Sequence, residues 1–394
     1  MTILKYLNYS YSLIAKGSPF FLANEISKDF LGIRNKTEKN SIHIKSAVEW
    51  ILNAQKANSD GGVSEMYSLY RGWHGSYSET TGYIIPTMYN YYNKTKNPII
   101  KESAIRMAEW ELTKQLDCGA FPGGATADGK EFPIIFNTGQ VLFGMSRAFQ
   151  ETKEEKYRKS AAMAADWLVK IQNAKGHWQK SEYLETIHTY NTRTAWALLK
   201  AYEITGNKNY AKSSAKNIDW ALNQQNENGW FENNAFHKNQ EPLLHTIAYT
   251  IQGILECGIS LQNDKYINSA KLSSDKIIGM MKEDGSIAGS FDSKWKSSVS
   301  WSCLTGNCQM SIVWLRLYYI TKDRKYLEAA KKSNNFVKST QNINSGHGGI
   351  RGGIKGAYPI YGWYAPFCYI NWGAKFFVDA LMLEEYKKIG NFLS

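Results

Sequence analysis

The sequence predicts an all-α fold of six consecutive helical hairpins, and three periodic features carry that expectation. A glutamine followed by a glycine-marked turn recurs at Gln55, Gln115, Gln172, Gln225 and Gln341, with Met281 in the glutamine's place in one copy, at intervals of roughly 53 to 60 residues. A period of that size is the signature of stacked supersecondary units. After each turn a threonine opens an apolar run, at Thr81, Thr138, Thr192, Thr246 and Thr305, and Asn371 with Trp372 holds the sixth place. A tyrosine closes the cycle near the start of the next unit, at Tyr157, Tyr210, Tyr266 and Tyr326.

Taken in order, residues 1–41 read as a helical leader of two short pieces, interrupted at Gly17–Pro19 and at Gly32, that packs on the outside of the repeats. Residues 42–390 hold the six units. In each, the first helix runs up to the glutamine turn, as in SIHIKSAVEWILNAQ and KSAAMAADWLVKIQ, with Trp50, Trp167 and Trp220 in equivalent places. Alanines on one face and lysines opposite give the period of a half-exposed helix. The second helix, as in TAWALLKAYEIT or QMSIVWLRLYYIT, is apolar around more of its circumference and so is the more buried. These inner helices are expected to start near Glu79, Asn137, Tyr190, His245, Thr305 and Asn371. Connections leading into a first helix read as about 4–8 residues and those leading into a second as about 15–30. If the two layers alternate around a ring, every long loop falls on one rim. That rim also receives the inner helix N-termini, whose partial positive charge favours anions. Long loops on a rigid scaffold are where function concentrates.

Composition bounds the partners. With 43% apolar residues and 14% aromatics, the 394-residue chain can bury a large core. The formal net charge of +12 points to an acidic partner if it points to any. The charge is spread along the chain and no nucleic-acid motif is present, so an acidic small molecule or saccharide is favoured over DNA or RNA. Five scattered cysteines argue for reduced thiols, and with no signal-peptide pattern and no long apolar run the expectation is a cytoplasmic protein without a membrane span. Cys303 and Cys308 do not have a metal-ligand spacing and there is no HExxH or GxSxG, so neither a metal nor a cofactor is expected.

Six such hairpins resemble the (α/α)6 toroid of the six-hairpin glycosidase-like superfamily, over nearly all the chain from residue 42. The resemblance implies a carbohydrate-active enzyme: a glycoside hydrolase, a polysaccharide lyase or a sugar or uronyl epimerase. The turns IQNAKGHW and NQQNENGW also resemble the repeats of terpenoid cyclases and protein prenyltransferases. The acidic clusters DxDD and DDxxD of the cyclases are missing, and Trp301 stands where the prenyltransferase zinc pattern has an aspartate before Cys303.

The long-loop rim supplies the candidate chemistry. Glu79, one residue before Thr80-Thr81-Gly82, is the leading general acid or base, and Asp60, before Gly61-Gly62, its candidate partner, because glycoside hydrolysis uses two carboxyls in different protonation states. Asp128 and Glu131 are further acids of the second loop. In IHTYNTRT, His188 and Tyr190 are proton-transfer candidates, and Arg193 could grip a carboxylate with two hydrogen bonds. Trp73, Tyr77, Asn137, His245, Trp301, Asn307, Arg351, Tyr358 and Tyr361 are candidate saccharide contacts, aromatics for stacking and planar polar groups for hydroxyls. The glycine-rich stretch GIRGGIKGAYPIYGWY reads as a mobile flap. Hydrolysis of an acidic or complex saccharide is the leading reading, with lyase or C5-epimerase chemistry by His, Tyr and Arg beside it. A non-catalytic saccharide- or protein-binding toroid and a cyclase-like enzyme stay open, and the oligomeric state is not legible.

Overall fold

The computed structural model describes residues 19–124 and 132–386. The first leader piece, Asp128 and Glu131 therefore lie outside the described residues. Helix α1 (Pro19–Phe30) is followed by a turn at Gly32, whose φ is positive, and twelve α-helices follow in six hairpins among the described residues. The outer helices are α2 (Asn40–Lys56), α4 (Pro98–Leu112), α6 (Glu155–Ile171), α8 (Lys208–Leu222), α10 (Asp264–Met280) and α12 (Arg324–Thr340). The inner helices are α3 (Ser78–Thr95), α5 (Ile135–Thr152), α7 (Thr192–Thr205), α9 (Leu244–Ser260), α11 (Leu304–Thr321) and α13 (Asn371–Tyr386). Each inner helix packs on its neighbours, and α13 closes the ring against α2 and α3. This is an (α/α)6 toroid, and its inner helices begin within two residues of the positions read from the sequence. Strands are confined to pieces of two or three residues in the loops.

The three periodic landmarks each have a structural cause. The glutamine at the end of an outer helix staples the next one: Gln172 Nε2 donates to the carbonyls of Gly176 in its own turn (2.9 Å) and Ser213 on α8 (3.0 Å). Gln55 does the same to Gly61 and Ser103, and Gln115 to Gly119 and Ser160. The glycine is needed because its φ is positive and the next outer helix is too close: a Cβ at Gly176 would stand 2.3 Å from the Lys216 carbonyl oxygen. The threonine hydroxyl caps the incoming loop, Thr81 Oγ1 accepting from Val63 N (3.0 Å) and Thr138 Oγ1 from Phe121 N (2.9 Å). The tyrosine hydroxyl donates to a carboxylate of the preceding outer helix, Tyr210 to Asp166 (2.8 Å) and Tyr266 to Asp219 (2.7 Å).

The short connections are shorter than the sequence suggested, mostly two residues, as at 96–97, 206–207 and 322–323. A left-handed C-cap such as Lys96, Gly206 or Lys322 reverses the chain in one residue. The following Asn97, Asn207 or Asp323 then acts as N-cap, accepting from the backbone two residues on at 3.1 Å.

The long loops close the ring at one rim. Strand β1 (Met66–Ser68) pairs antiparallel with β2 (Gly72–Trp73) and with β5 (Cys368–Ile370), joining the first loop to the sixth; β3 (Ser302–Cys303) pairs with β4 (Ala357–Tyr358). Lys355 of the sixth loop is 3% exposed and bonds Asp29 (2.7 Å) and Glu25 (3.1 Å), which holds α1 against the ring. The stretch expected to be a flap is thus largely buried, with Ile350, Ile354, Ala357 and Ile360 in the core.

Candidate active site

The N-terminal turns of the inner helices α3, α5, α9 and α13 converge on a cavity of 460 Å³ at the long-loop rim. Aromatic side chains make most of its wall: Tyr83 from α3, Phe136 from α5, Tyr249 from α9 and Trp372 from α13, with Tyr77, Phe132, Tyr183, Tyr190, Phe236, Trp363 and Tyr364 from loops. Apart from the aromatic hydroxyls and indoles the polar groups are few: Glu79, Thr80, Asn137, His237, Gln240 and His245. Among the described residues lining it there is no lysine or arginine, and Glu79 is the one carboxylate.

Glu79 sits in the first turn of α3 with part of its side chain reachable from the cavity. Tyr77 Oη donates to its Oε2 at 2.7 Å. Burial pushes the Glu79 carboxyl up to about 7, against the Tyr77 hydrogen bond and the more distant Arg193, which pull the other way. It therefore exchanges its proton near neutrality, as a general acid or base requires. Tyr77 itself is held well above the usual phenol range by burial and by the adjacent carboxyl, so it stays a donor.

His245 lies in the first turn of α9 with Nδ1 2.7 Å from Gln309 Oε1. An amide oxygen only accepts, so Nδ1 carries the proton and the Nε2 lone pair is left for the cavity. Burial pushes this imidazole down to about 4, and it is neutral at pH 7. The Tyr249 ring, one turn deeper on α9, packs against it at 4.3 Å.

Of the residues singled out from sequence, the structure brings Tyr77, Glu79, Asn137, Tyr190 and His245 to this one cavity. The others lie elsewhere, each for a visible reason. Asp60 is a turn residue whose Oδ1 accepts from Gly62 N (3.0 Å) and Ser76 Oγ (2.8 Å). Trp73 is drawn by the β1–β2 pairing onto Trp50 and Tyr67. Asn307 is fully buried and ties the fifth turn to α12 through Gly285 O (3.1 Å) and Ser333 Oγ (2.9 Å). The Trp301 ring covers Gly289 and Gly362, and Tyr358 packs between Phe336 and Arg34. Arg351 is exposed beside α2, where the neighbouring Gly352 abuts Ser46, and Tyr361 points to solvent. His188 stacks on the far face of Tyr190 (4.5 Å between centroids) and lines an adjoining groove.

Arg193 corrects the expectation of a carboxylate grip. A 3₁₀ turn at Thr189–Asn191 delays α7 to Thr192 and turns Arg193 into the ring. It is fully buried, donating to Gln140 Oε1 (2.7 Å) and Gln252 Oε1 (3.0 Å), with the rings of Phe143, Tyr249, Phe376, Trp196 and Tyr83 at 5.1–5.8 Å. It lies beneath the cavity floor and puts a fixed positive charge behind Tyr83 and Tyr249.

Tyr83 and Tyr249 are cavity-wall residues that sequence reasoning missed. The signal was available: each lies four residues after a singled-out polar group, Glu79 or His245, on the same helix face one turn deeper. Glu182, behind Tyr183, is 3% exposed and pushed up to about 8 by burial. It faces Asn191, but neither of its oxygens reaches a partner in good hydrogen-bond geometry. No group of three or more His, Cys, Asp or Glu among the described residues is placed to hold a metal ion, and no described helix is long and apolar enough to cross a membrane.

The fold and its rim cavity define an (α/α)6 toroid of six helical hairpins with a cavity at one rim. Residues 76–265, just under half of the chain, match the model of the squalene-hopene cyclase C-terminal domain family. The structure is similar to unsaturated glucuronyl hydrolase from Bacillus sp. GL1, an enzyme of glycosaminoglycan degradation, with a TM-score of 0.72 and 16% identity over 88% of this chain and 97% of that one. It is also similar to cellobiose 2-epimerase from Bacillus thermoamylovorans (TM-score 0.69, 13% identity, 93% and 100% covered) and to a D-mannose isomerase (0.70, 13%, 89% and 97%). At these identities the likeness is one of fold. Comparison with curated protein sequences returns no match.

Proposed function

We propose that the chain is a carbohydrate-active enzyme that binds an uncharged sugar unit in the rim cavity and moves protons on it with Glu79 and His245. The observation that carries this reading is the pairing of one carboxyl titrating near neutrality with one neutral, oriented imidazole in an aromatic wall. Aromatic faces suit the apolar faces of a pyranose, and Asn137, Gln240 and His237 suit its hydroxyls. An isoprenoid would use the aromatics but leave those polar groups without partners, at a desolvation cost.

The reaction class favoured is isomerisation or epimerisation beside the carbonyl of an open-chain sugar. One group removes the proton at C2, and the other supplies or returns one. The enediolate oxygen formed between these steps carries negative charge, and the buried Arg193 beneath the floor is fixed in place to favour it. Hydrolysis is the second reading, supported by the likeness to a glucuronyl hydrolase fold. By the two-carboxyl route it needs a second acid across the cavity, and Asp128 and Glu131 are the loop acids to test. Free neutral aldoses and disaccharides incubated in D2O and followed by NMR discriminate the two. Loss of the C2 proton signal with a new epimer or ketose supports the proposal. Release of reducing ends without C2 exchange, abolished by Asp128→Asn or Glu131→Gln, would replace it with hydrolysis.

A further inference from the structure

Trp363 and Tyr364 of the sixth loop stand in the cavity wall on a short excursion of the chain. The excursion is closed at its base by the Phe367 amide, which donates to the Ile360 carbonyl at 2.8 Å, and within it Gly362 N donates to Pro359 O at 2.8 Å. Tyr364 reaches the inner layer. Its hydroxyl accepts from Trp372 Nε1 at 3.0 Å, and its ring centroid lies 5.8 Å from that of His245. Two residues of the excursion, Ala365 at φ 46° and Phe367 at φ 59°, are in the left-handed region without being glycine. Such backbone persists only where surrounding contacts over-determine it, so the loop needs an external hold.

That hold comes from α1, 331 residues away along the chain. Asp29 Oδ2 accepts from Ile360 N, at the base of the excursion, at 2.7 Å, and Oδ1 accepts from Lys355 Nζ at 2.7 Å. Glu25, one turn earlier on α1, accepts from Tyr369 Oη at 2.8 Å and lies 3.1 Å from the same Nζ. All three charged groups are buried. A buried cluster of this kind is a weak source of stability and better suited to fixing one geometry. The two carboxylates divide the contact: Glu25 grips β5, which follows the excursion, and Asp29 grips the residue that opens it.

We propose that Asp29 is a positioning residue of the candidate active site: through Ile360 and Lys355 it holds the excursion that sets Trp363 and Tyr364 in the cavity wall and keeps water from His245. The inference rests on the reading of the cavity as the site, but it concerns how the wall is held, whatever sugar the cavity takes. A test without ligand therefore keeps the two separable.

Asp29→Ala removes both bonds, while Glu25 still pairs with Lys355, so the full chain is expected to fold. Hydrogen exchange without ligand should show the Gly362 and Phe367 amides exchanging about tenfold faster, with the α9 amides unchanged. The His245 imidazole, which burial holds at about 4, should titrate about one pH unit higher as water reaches it, read by NMR and assigned with His245→Asn. Asp29→Asn keeps an acceptor for Ile360 N and should leave exchange within about threefold of the unmodified chain. A folded Asp29→Ala chain with both readouts unchanged, or an Asp29→Asn chain altered as much as the Ala one, overturns the inference and leaves the saccharide reading standing. So does a loss of protection spread evenly over the ring, which is what a merely structural role gives. In the unmodified chain, exchange under mild denaturant should open α1 together with the Gly362 and Phe367 amides, ahead of the ring helices. Separate opening overturns the inference even if the Ala variant does not fold.

Discussion

Replacing Tyr77 with Phe removes one hydroxyl and tests whether Glu79 is poised as described. Tyr77 Oη is 2.7 Å from Glu79 Oε2, and this bond opposes the burial that raises the carboxyl to about 7. A hydrogen bond to a charged group is worth about 1.5–3 kcal/mol, and one pKa unit is about 1.4 kcal/mol. The carboxyl should therefore rise by about one to two units, into the range of about 8 to 9, because only the ionised form loses a stabilising donor. The pH dependence of kcat/KM reports the shift: the limb that Glu79 governs should move to higher pH by that amount. If Glu79 acts as the base, activity at pH 7 falls; if it acts as the acid, the alkaline limit extends. Direct titration of the carboxyl by ¹³C NMR gives the same displacement without turnover. A profile and a carboxyl titration that both stay in place would refute the account of how this wall sets its acid.

Three other substitutions read separate parts of the site. Glu79→Gln should lower kcat by about two to four decades, with the thermal midpoint held or raised, since an amide avoids the cost of burying a charge. Trp363, 62% exposed at the cavity mouth, should raise KM about three- to tenfold when replaced by Ala, corresponding to about 1 kcal/mol of lost stacking, with Tm unchanged. Glu182 is expected to make folding pH-dependent: its carboxyl loses a proton near 4.5 in the unfolded chain and near 8 in the native one, so native stability falls as pH rises between those values and is flat above. Glu182→Gln should make the fall of Tm over pH 5 to 8 shallower, and an unchanged slope would show that the group is not protonated in the native state.

The repeat was legible in the sequence because the same contacts recur in unit after unit. A glutamine that must reach the next outer helix, and a glycine that must clear it, are fixed by the ring at nearly the same interval, so the inner helix starts could be placed within two residues. The candidate residues that reach the cavity, Tyr77, Glu79, Asn137, Tyr190 and His245, lie within two residues of those starts. The rest depended on how loops fold back, which has no period. Trp73 and Tyr358 were diverted into packing by strand pairs that join distant loops, the first to the sixth and the fifth to the sixth. Arg193 was misplaced by a single 3₁₀ turn, which moved the start of α7 by two residues and carried the guanidinium from the mouth to beneath the floor. Overall charge could not be placed for a related reason: net charge carries no position, and the excess of lysine and arginine does not reach the described cavity wall.

The central claim, that Glu79 and His245 flank a sugar in the rim cavity, is tested most directly by a crystal structure of the Glu79→Gln variant with a neutral disaccharide. The account predicts a sugar ring or open-chain unit stacked on the aromatic wall, with one carbon-bound hydrogen or hydroxyl within about 3.5 Å of both the residue-79 side chain and His245 Nε2. A sugar bound only outside the cavity, or bound inside with neither residue 79 nor His245 in reach, would contradict it.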